Sequence, residues 1–194
     1  VYHPMDQGMA RELLGLPSGK RLLLFGALNV TDKRKGIDYL IEALRRMEKQ
    51  DVELVVFGQV KDDIRGLFPV PIHSMGYLSD ESKIVALYNA VDMFITSSLE
   101  ENLPNTIMES MACGTPCVGF EIGGIPEMID HRVNGYVANY KDAGDLANGI
   151  QWVLEHEDRL ALSDACVKKV QENYTEEVVA KQYTALYEKL LKGE

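Results

Sequence analysis

The chain has 194 residues, 46% of them hydrophobic, and a formal net charge of −10. This length can bury one substantial core and is too short for two domains of ordinary size. The acidic balance excludes a general electrostatic attraction to nucleic acid or to an anionic lipid surface, because both need clustered Lys and Arg.

Cysteine spacing and the lengths of apolar runs bear on the cellular compartment of the protein. The cysteines Cys113, Cys117 and Cys166 have no C-x-x-C spacing, so neither a disulfide framework nor a thiolate metal site is indicated, and a reduced cytoplasmic location fits. No apolar run approaches the roughly 18 residues of a membrane span, and the start 1–4 lacks the regions of a signal peptide. A start without Met is typical of a segment cut from a longer protein.

Short apolar runs alternate with longer amphipathic stretches over most of the chain. Continuous apolar runs suit buried parallel strands, and apolar residues at helical spacing suit helices packed on them. This alternation predicts an α/β fold, a Rossmann-like doubly wound parallel sheet with helices on both faces. The predicted strands are 21–25, 53–57, 70–74, 93–96 and 116–120, and the predicted helices include 36–47, 82–90, 142–156, 159–172 and 175–191.

The loop 26–36 follows the first predicted strand at the edge where such sheets bind ligands. It has neither the G-x-G-x-x-G order of a dinucleotide site nor the order of a P-loop. It does carry Lys33, Arg34 and Lys35, three cations that can neutralise a diphosphate. A solvated basic turn is the plainer alternative, because runs of charge usually face water.

The most informative segment follows the fourth predicted strand. Pro104 suits the first turn of a helix and Gly114 suits its end. The N–H groups of Asn105, Thr106 and Ile107 would then point out of the helix N-terminus without partners. Such a terminus predicts a phosphate cradle.

Two glutamates accompany this cradle, Glu101 just before it and Glu109 eight residues later. As a purely structural residue, Glu101 would stabilise the helix by about 0.3 kcal/mol or slightly more through its interaction with the helix dipole. Glu109 would then be a solvated acid on the helix surface. Small or apolar residues follow Glu109, however, and in a tightly packed helix an idle carboxylate is costly. A bond from Glu109 to ribose hydroxyls would explain it.

Two further loops follow predicted strands. Gly123 and Gly124 permit a close backbone approach to a ligand, although a plain tight turn explains them equally well. The loop 75–80 offers Ser79 or Asp80 as a helix cap. Contact of its backbone with a base edge is the alternative, and capping is the plainer explanation.

At these residues the sequence resembles glycosyltransferase family 4, the retaining enzymes with two Rossmann-like domains known as the GT-B architecture. The segment from Glu101 to Glu109 that continues Glu-Ser-Met-Ala-Cys-Gly-Thr-Pro is specific to that family. The similarity covers nearly the whole chain. It implies that residues 1–194 form the C-terminal donor-binding domain, without the N-terminal acceptor domain.

The resemblance also implies roles for individual residues. Glu101 would contact the transferred sugar, as a nucleophile or as a stabiliser of an oxocarbenium-like state, and Lys35 would neutralise the departing β-phosphate. Glu109 would bind the ribose hydroxyls of the nucleotide. The other implied donor-binding residues are Gly26, Arg34, Tyr77, Leu78, Asn105, Thr106, Ile107, Gly123 and Gly124.

The sequence departs from the family pattern at Ala27, where many members have Arg after the glycine that ends the first strand. Arg34 or Lys33 is the candidate replacement for that charge. Pro104 also lacks the N–H that a glycine at its position would supply to the cradle.

The implied activity is metal-independent, retaining hexosyl transfer from a UDP-, GDP- or ADP-sugar, with no cofactor. The acceptor would be a glycan or lipid-linked glycan held by the absent domain, in polysaccharide or lipopolysaccharide assembly, with the full-length protein cytoplasmic or peripheral at the inner face of the membrane. This chain alone is expected to bind donor weakly and transfer little or nothing. One alternative is a nucleotide-binding module without catalysis, for which Ala27 is the only support and against which Lys35, Glu101 and Glu109 argue. The other is an epimerase or phosphorylase of the same architecture, in which the two-glutamate segment is not expected.

Overall fold

The structure, a computed structural model, describes residues 1–29, 32–47, 51–59 and 65–192. The strands are β1 (Arg21–Asn29), β2 (Val52–Gln59), β3 (Ile72–Gly76), β4 (Met93–Thr96), β5 (Cys117–Phe120) and β6 (Gly135–Ala138). They form one parallel sheet in the order β3-β2-β1-β4-β5-β6. This is the strand order of dinucleotide-binding Rossmann folds, and it confirms the predicted fold class.

Helices connect and cover these strands. They are α1 (Gln7–Leu14), α2 (Ile37–Arg46), α3 (Glu81–Ala90), α4 (Asn105–Ala112), α5 (Ile125–Met128), α6 (Ala143–Leu154), α7 (Arg159–Asn173) and α8 (Glu176–Lys192), with 3₁₀ turns at Lys33–Lys35 and Arg65–Leu67. Within these described stretches, no helix is both long and apolar enough to cross a bilayer.

The core lies on both faces of the sheet because side chains alternate along each strand. In β1, Leu23 and Phe25 pack towards α2 and α6, whereas Leu22 and Leu24 pack into the opposite cluster with residues of α1, α3, α4 and α7. All four side chains are buried. The sheet is therefore covered on both faces, as its uninterrupted apolar strands predict.

The predicted elements are confirmed, with shifts at their ends and two additions. β1 runs through Gly26 to Asn29 and pairs with β2 over that stretch, so the prediction that the chain leaves the strand at Gly26 is wrong. The additions are β6 and α1, which the sequence analysis did not predict. β6 is only the four residues Gly-Tyr-Val-Ala, and α1 has a glycine as its second residue, so neither gives a strong periodic signal.

A buried ion cluster joins the amino ends of the strands. The Asp92 carboxylate, just before β4, accepts the Leu22 N–H at 2.7 Å and the Arg11 Nη2 at 3.0 Å. The Arg159 Nη2 lies 2.7 Å from its second oxygen. Burial raises the pKa of Asp92 against the opposing effects of the Leu22 N–H, Arg11 and Arg21. This cluster ties α1 and α7 to the sheet at the edge opposite the candidate site.

Candidate functional site

The order of the strands reverses between β1 and β4, which lie side by side in the sheet. In open α/β sheets, ligands bind outside the carboxyl ends of the strands at this point of reversal. The basic turn Lys33–Lys35 follows β1, and the loop 97–104 follows β4. The topology therefore brings together the two segments that carry the predicted catalytic residues.

Main-chain contacts hold these two segments against each other. The Leu99 N–H donates to the Arg34 carbonyl at 2.7 Å, and the Ser97 hydroxyl donates to the Lys35 carbonyl at 2.9 Å. Gly36 has a φ of 62°, and a Cβ on it would lie 1.9 Å from the Ser97 carbonyl oxygen. Only glycine meets both the left-handed conformation and this close approach.

The side chains of Lys35 and Glu101 form an ion pair across the point of reversal. The Lys35 Nζ lies 2.5 Å from the Glu101 Oε1, and the two side chains are 32% and 15% exposed. They face a shallow cleft of about 390 Å³ that Arg34, Glu100 and Asn102 also line. A partly desolvated ammonium and carboxylate thus stand together at the edge where a ligand would enter.

Arg34 forms an ion pair with a different residue, Asp32. Its Nη2 lies 2.7 Å from the Asp32 Oδ2, and its side chain is 68% exposed. The hydrogen bonds from Arg34 lower the pKa of Asp32 to about 2. Because an acid already pairs with Arg34, the structure offers Lys35 as the cation turned towards Glu101. The side chain of Ala27 and residues 30–31 lie outside the described residues, so replacement of the family's arginine stays a prediction.

The glycine pair after β5 supports the loop that carries Glu101. Gly123 has a φ of 55°, and a Cβ on it would lie 2.1 Å from the Glu101 carbonyl oxygen. The Gly124 N–H donates to the Asn102 carbonyl at 2.5 Å. The close backbone approach that the two glycines predict is thus made to the chain's own backbone, and a contact with the donor stays a prediction.

Gly26 is also explained by packing. A Cβ on it would lie 1.8 Å from the Phe57 ring on the neighbouring strand. Its predicted donor contact is untested.

The N-terminus of α4 differs in one respect from the predicted cradle. Pro104 caps the helix and Asn105 is its first residue. The Ile107 N–H donates to the Pro104 carbonyl at 3.0 Å, so the prediction of three unpartnered N–H groups is wrong for Ile107. The first turn of the helix closes there, which leaves Asn105 and Thr106 as the residues preceding the first intrahelical bond.

Glu109 lies in α4 and is held by tyrosines. The Tyr88 hydroxyl donates to its Oε2 at 2.9 Å. Burial, together with the charge of Glu109, raises the pKa of Tyr2 to about 12. Burial raises the pKa of Glu109, and hydrogen bonds from Tyr88 and Tyr2 oppose that rise. The sequence analysis missed both tyrosines, although the hydroxyl of a buried tyrosine needs a partner and is a usable signal.

The loop after β3 contains the two residues predicted near the base. The Tyr77 side chain is exposed, and Leu78 packs at the margin of the core. The Asp80 carboxylate accepts the Ser82 N–H at 3.0 Å, which identifies Asp80 as the cap of α3. The contact of Tyr77 and Leu78 with a base stays a prediction.

Metal-binding clusters were sought over the described ranges of the chain. No group of three or more His, Cys, Asp or Glu side chains there could hold a metal ion. The three cysteines are free and buried.

A Rossmann-like sheet of this order, with a Lys–Glu pair at its reversal point, fits one domain of a GT-B glycosyltransferase. The chain belongs to the family of glycosyl transferases group 1, whose model matches residues 19–156.

Individual proteins agree with this assignment. Over 200 residues, the chain is 24% identical to N-acetyl-alpha-D-glucosaminyl L-malate synthase of Bacillus anthracis, covering all of this chain and 52% of that protein. The sucrose-phosphate synthase structure from Thermosynechococcus elongatus is 25% identical with a TM-score of 0.80, covering all of this chain and 50% of that one. Anabaena HepE, solved in complex with UDP, is 20% identical with a TM-score of 0.77, and the match covers 97% of this chain and 56% of HepE. The chain spans about half the length of the first two proteins.

Proposed function

We propose that this chain binds a nucleoside-diphosphate sugar and forms the donor half of a retaining, metal-independent hexosyltransferase of family 4. The observation that carries the proposal is the Lys35–Glu101 pair at the reversal point of the sheet. Phosphate groups need cations and N–H donors. Lys35 and the first N–H groups of α4 offer both, and we assign Glu101 to contact with the sugar.

Lys35 and Glu101 have opposite tasks in the proposed reaction. The bond between the anomeric carbon and the β-phosphate oxygen breaks, and negative charge develops on the phosphate beside the Lys35 ammonium. Positive charge develops at the anomeric carbon, where the Glu101 carboxylate stabilises it. The acceptor oxygen forms the new bond on the face that the nucleotide leaves and passes its proton to the departing phosphate. Charge stabilisation by preorganised groups is the main demand of such a step.

UDP is the first candidate nucleotide, since HepE was solved with UDP. We assign the acceptor, a glycan or lipid-linked glycan in cytoplasmic polysaccharide assembly, to a domain outside this chain, because relatives of twice its length share its fold. Closure of the two domains would exclude water from the reacting bond. On this proposal the chain alone binds donor and does not turn it over at an appreciable rate.

Calorimetric titration of the 194-residue chain with UDP, GDP and ADP, first without metal and then with Mg²⁺, tests the proposal. Saturable binding of one nucleotide without metal, weakened by Glu109→Ala, would support it and identify the base. Binding that appears only with Mg²⁺ would contradict metal independence. Failure of all three nucleotides to bind would contradict the assignment of the donor site to this chain.

A further inference from the structure

We infer that Tyr88 is a positioning residue whose hydroxyl orients the Glu109 carboxylate to accept both ribose hydroxyls of the donor nucleotide. The inference rests on the proposed function, since it takes Glu109 as the ribose-binding group. On this inference, Tyr88 on α3 gives the site its preference for a ribose over a sugar that lacks the diol. Tyr88 does so through Glu109, without touching the ligand.

The geometry of the pair is well defined. The Tyr88 hydroxyl donates to the Glu109 Oε2 at 2.9 Å, from α3 to the neighbouring helix α4. This bond occupies one lone pair of one carboxylate oxygen. Tyr2 is a second hydrogen-bond donor to the same carboxylate. An ionised carboxylate has about four acceptor positions, so two remain for the two hydroxyls of a vicinal diol.

The position of the Tyr88 hydroxyl is fixed by its surroundings. The residue is fully buried, and its ring makes edge-on contacts with Tyr2, Phe57 and Phe94 at centroid distances of 6.2, 6.2 and 6.1 Å. Its carbonyl accepts the Thr115 hydroxyl at 2.7 Å. A hydroxyl held this firmly is a suitable anchor for a flexible glutamate.

The bond serves recognition in two physical ways. A glutamate with several rotatable bonds loses conformational entropy when a ligand orders it, and an anchored carboxylate has lost that freedom beforehand. The hydrogen bond also favours the ionised form, which accepts from hydroxyls and does not donate to them. It acts together with Tyr2 against burial and the charge of Glu81, which raise the pKa of Glu109.

Tyr88→Phe tests the inference because phenylalanine keeps the packed ring and removes only the hydroxyl. The probes are UDP and 2′,3′-dideoxyuridine diphosphate, titrated into each variant. We expect the dissociation constant for UDP to rise about tenfold, by analogy with a lost hydrogen bond to a charged group, and that for the dideoxy probe to stay unchanged. Glu109→Gln should also remove the preference for UDP over the dideoxy probe. The double variant should lose little more affinity for UDP than Glu109→Gln alone.

Tyr136→Phe is the matched control. The Tyr136 hydroxyl donates to the Asp145 Oδ1, also at 2.9 Å, and the residue is buried, between β6 and α6. Tyr136→Phe should destabilise the fold about as much as Tyr88→Phe and leave both dissociation constants unchanged. This separates loss of a structural hydrogen bond from loss of carboxylate positioning.

The outcomes separate the two hypotheses. If Glu109→Gln removes the preference for UDP over the dideoxy probe but Tyr88→Phe retains it, the positioning role is wrong and the proposed function stands. If the unaltered chain binds UDP without preference over the dideoxy probe, the ribose role of Glu109 fails and the inference falls with it. If the chain binds none of UDP, GDP and ADP, the proposed function itself fails. A preference reduced equally by Tyr88→Phe and Tyr136→Phe would also overturn the inference, because it would reflect general destabilisation.

Discussion

Gly36 lies so close to Ser97 that a Cβ on the glycine would be 1.9 Å from the serine carbonyl oxygen. This approach fixes the basic turn after β1 against the loop after β4. Lys35 immediately precedes the contact, and its carbonyl accepts the Ser97 hydroxyl. The distance between the two proposed catalytic side chains therefore depends on the absence of a side chain at position 36.

Gly36→Ala should destabilise the protein by about 3 kcal/mol, since a left-handed residue with a Cβ costs about 1–2 kcal/mol and an overpacked contact typically costs about 1–3 kcal/mol. Gly15→Ala is the control, because Gly15 has a φ of 66° and nothing lies within 4 Å of its added Cβ. Gly15→Ala should cost only the left-handed term, about 1 kcal/mol. Urea unfolding measures both, and equal losses would show that the contact with Ser97 relaxes freely.

Lys35→Ala should raise the dissociation constant for UDP about tenfold or more, because a hydrogen bond to a charged group contributes about 1.5–3 kcal/mol. Lys33→Ala changes an exposed cation of the same turn and should have a much smaller effect. Calorimetry of the two variants checks the difference. An unchanged constant for Lys35→Ala would remove Lys35 from phosphate binding.

Glu101→Gln should strengthen UDP binding slightly, by about two- to threefold, because the carboxylate that competes for the Lys35 ammonium loses its charge. The same change should abolish transfer when the chain is part of an enzyme that contains an acceptor domain. Titration with UDP and a product assay give the two readouts. Weaker UDP binding in this variant would mean that Glu101 orders the phosphate site and does not compete with the phosphate.

Asp92→Ala should destabilise the fold by about 3–5 kcal/mol, the usual cost of removing one partner of a buried ion pair. It leaves the buried guanidinium of Arg11 without its counter-charge. Glu172→Ala breaks the exposed pair with Lys168 and should change stability by less than about 0.5 kcal/mol. Chemical unfolding distinguishes them, and a small loss for Asp92→Ala would show that water reaches the cluster.

Glu109→Gln should stabilise the fold at neutral pH while weakening donor binding. Burial raises the pKa of Glu109 in the folded state above its ordinary value, so the ionised group opposes folding. That opposition is absent below the unfolded-state pKa and grows as the pH rises through the folded-state pKa. The stability gain of the variant should therefore shrink as the pH falls towards about 4.5. A gain independent of pH would contradict the raised pKa.

Much of the architecture could be predicted from local pattern. Five strands and the long helices follow from apolar runs and helical spacing. The elements β6 and α1 were not predicted, because a strand of four residues and a short helix that contains a glycine carry little periodicity. The start of α4 at Asn105 and the end marked by Gly114 follow from the chemistry of proline and glycine. The error at Ile107 arose because the closing of a first helical turn depends on backbone geometry and not on residue type.

The sequence by itself determined the α/β class, the family and the positions of the basic turn and the two glutamates, because these depend on residue order and local preference. Only the tertiary structure decided which cation faces Glu101, that Gly123 and Gly124 press on the Glu101 loop, and that Tyr88 holds Glu109. Each of these contacts joins residues about 20 or more positions apart. Their partners are chosen by the strand order and by close packing of loops at one edge of the sheet, which no local pattern encodes.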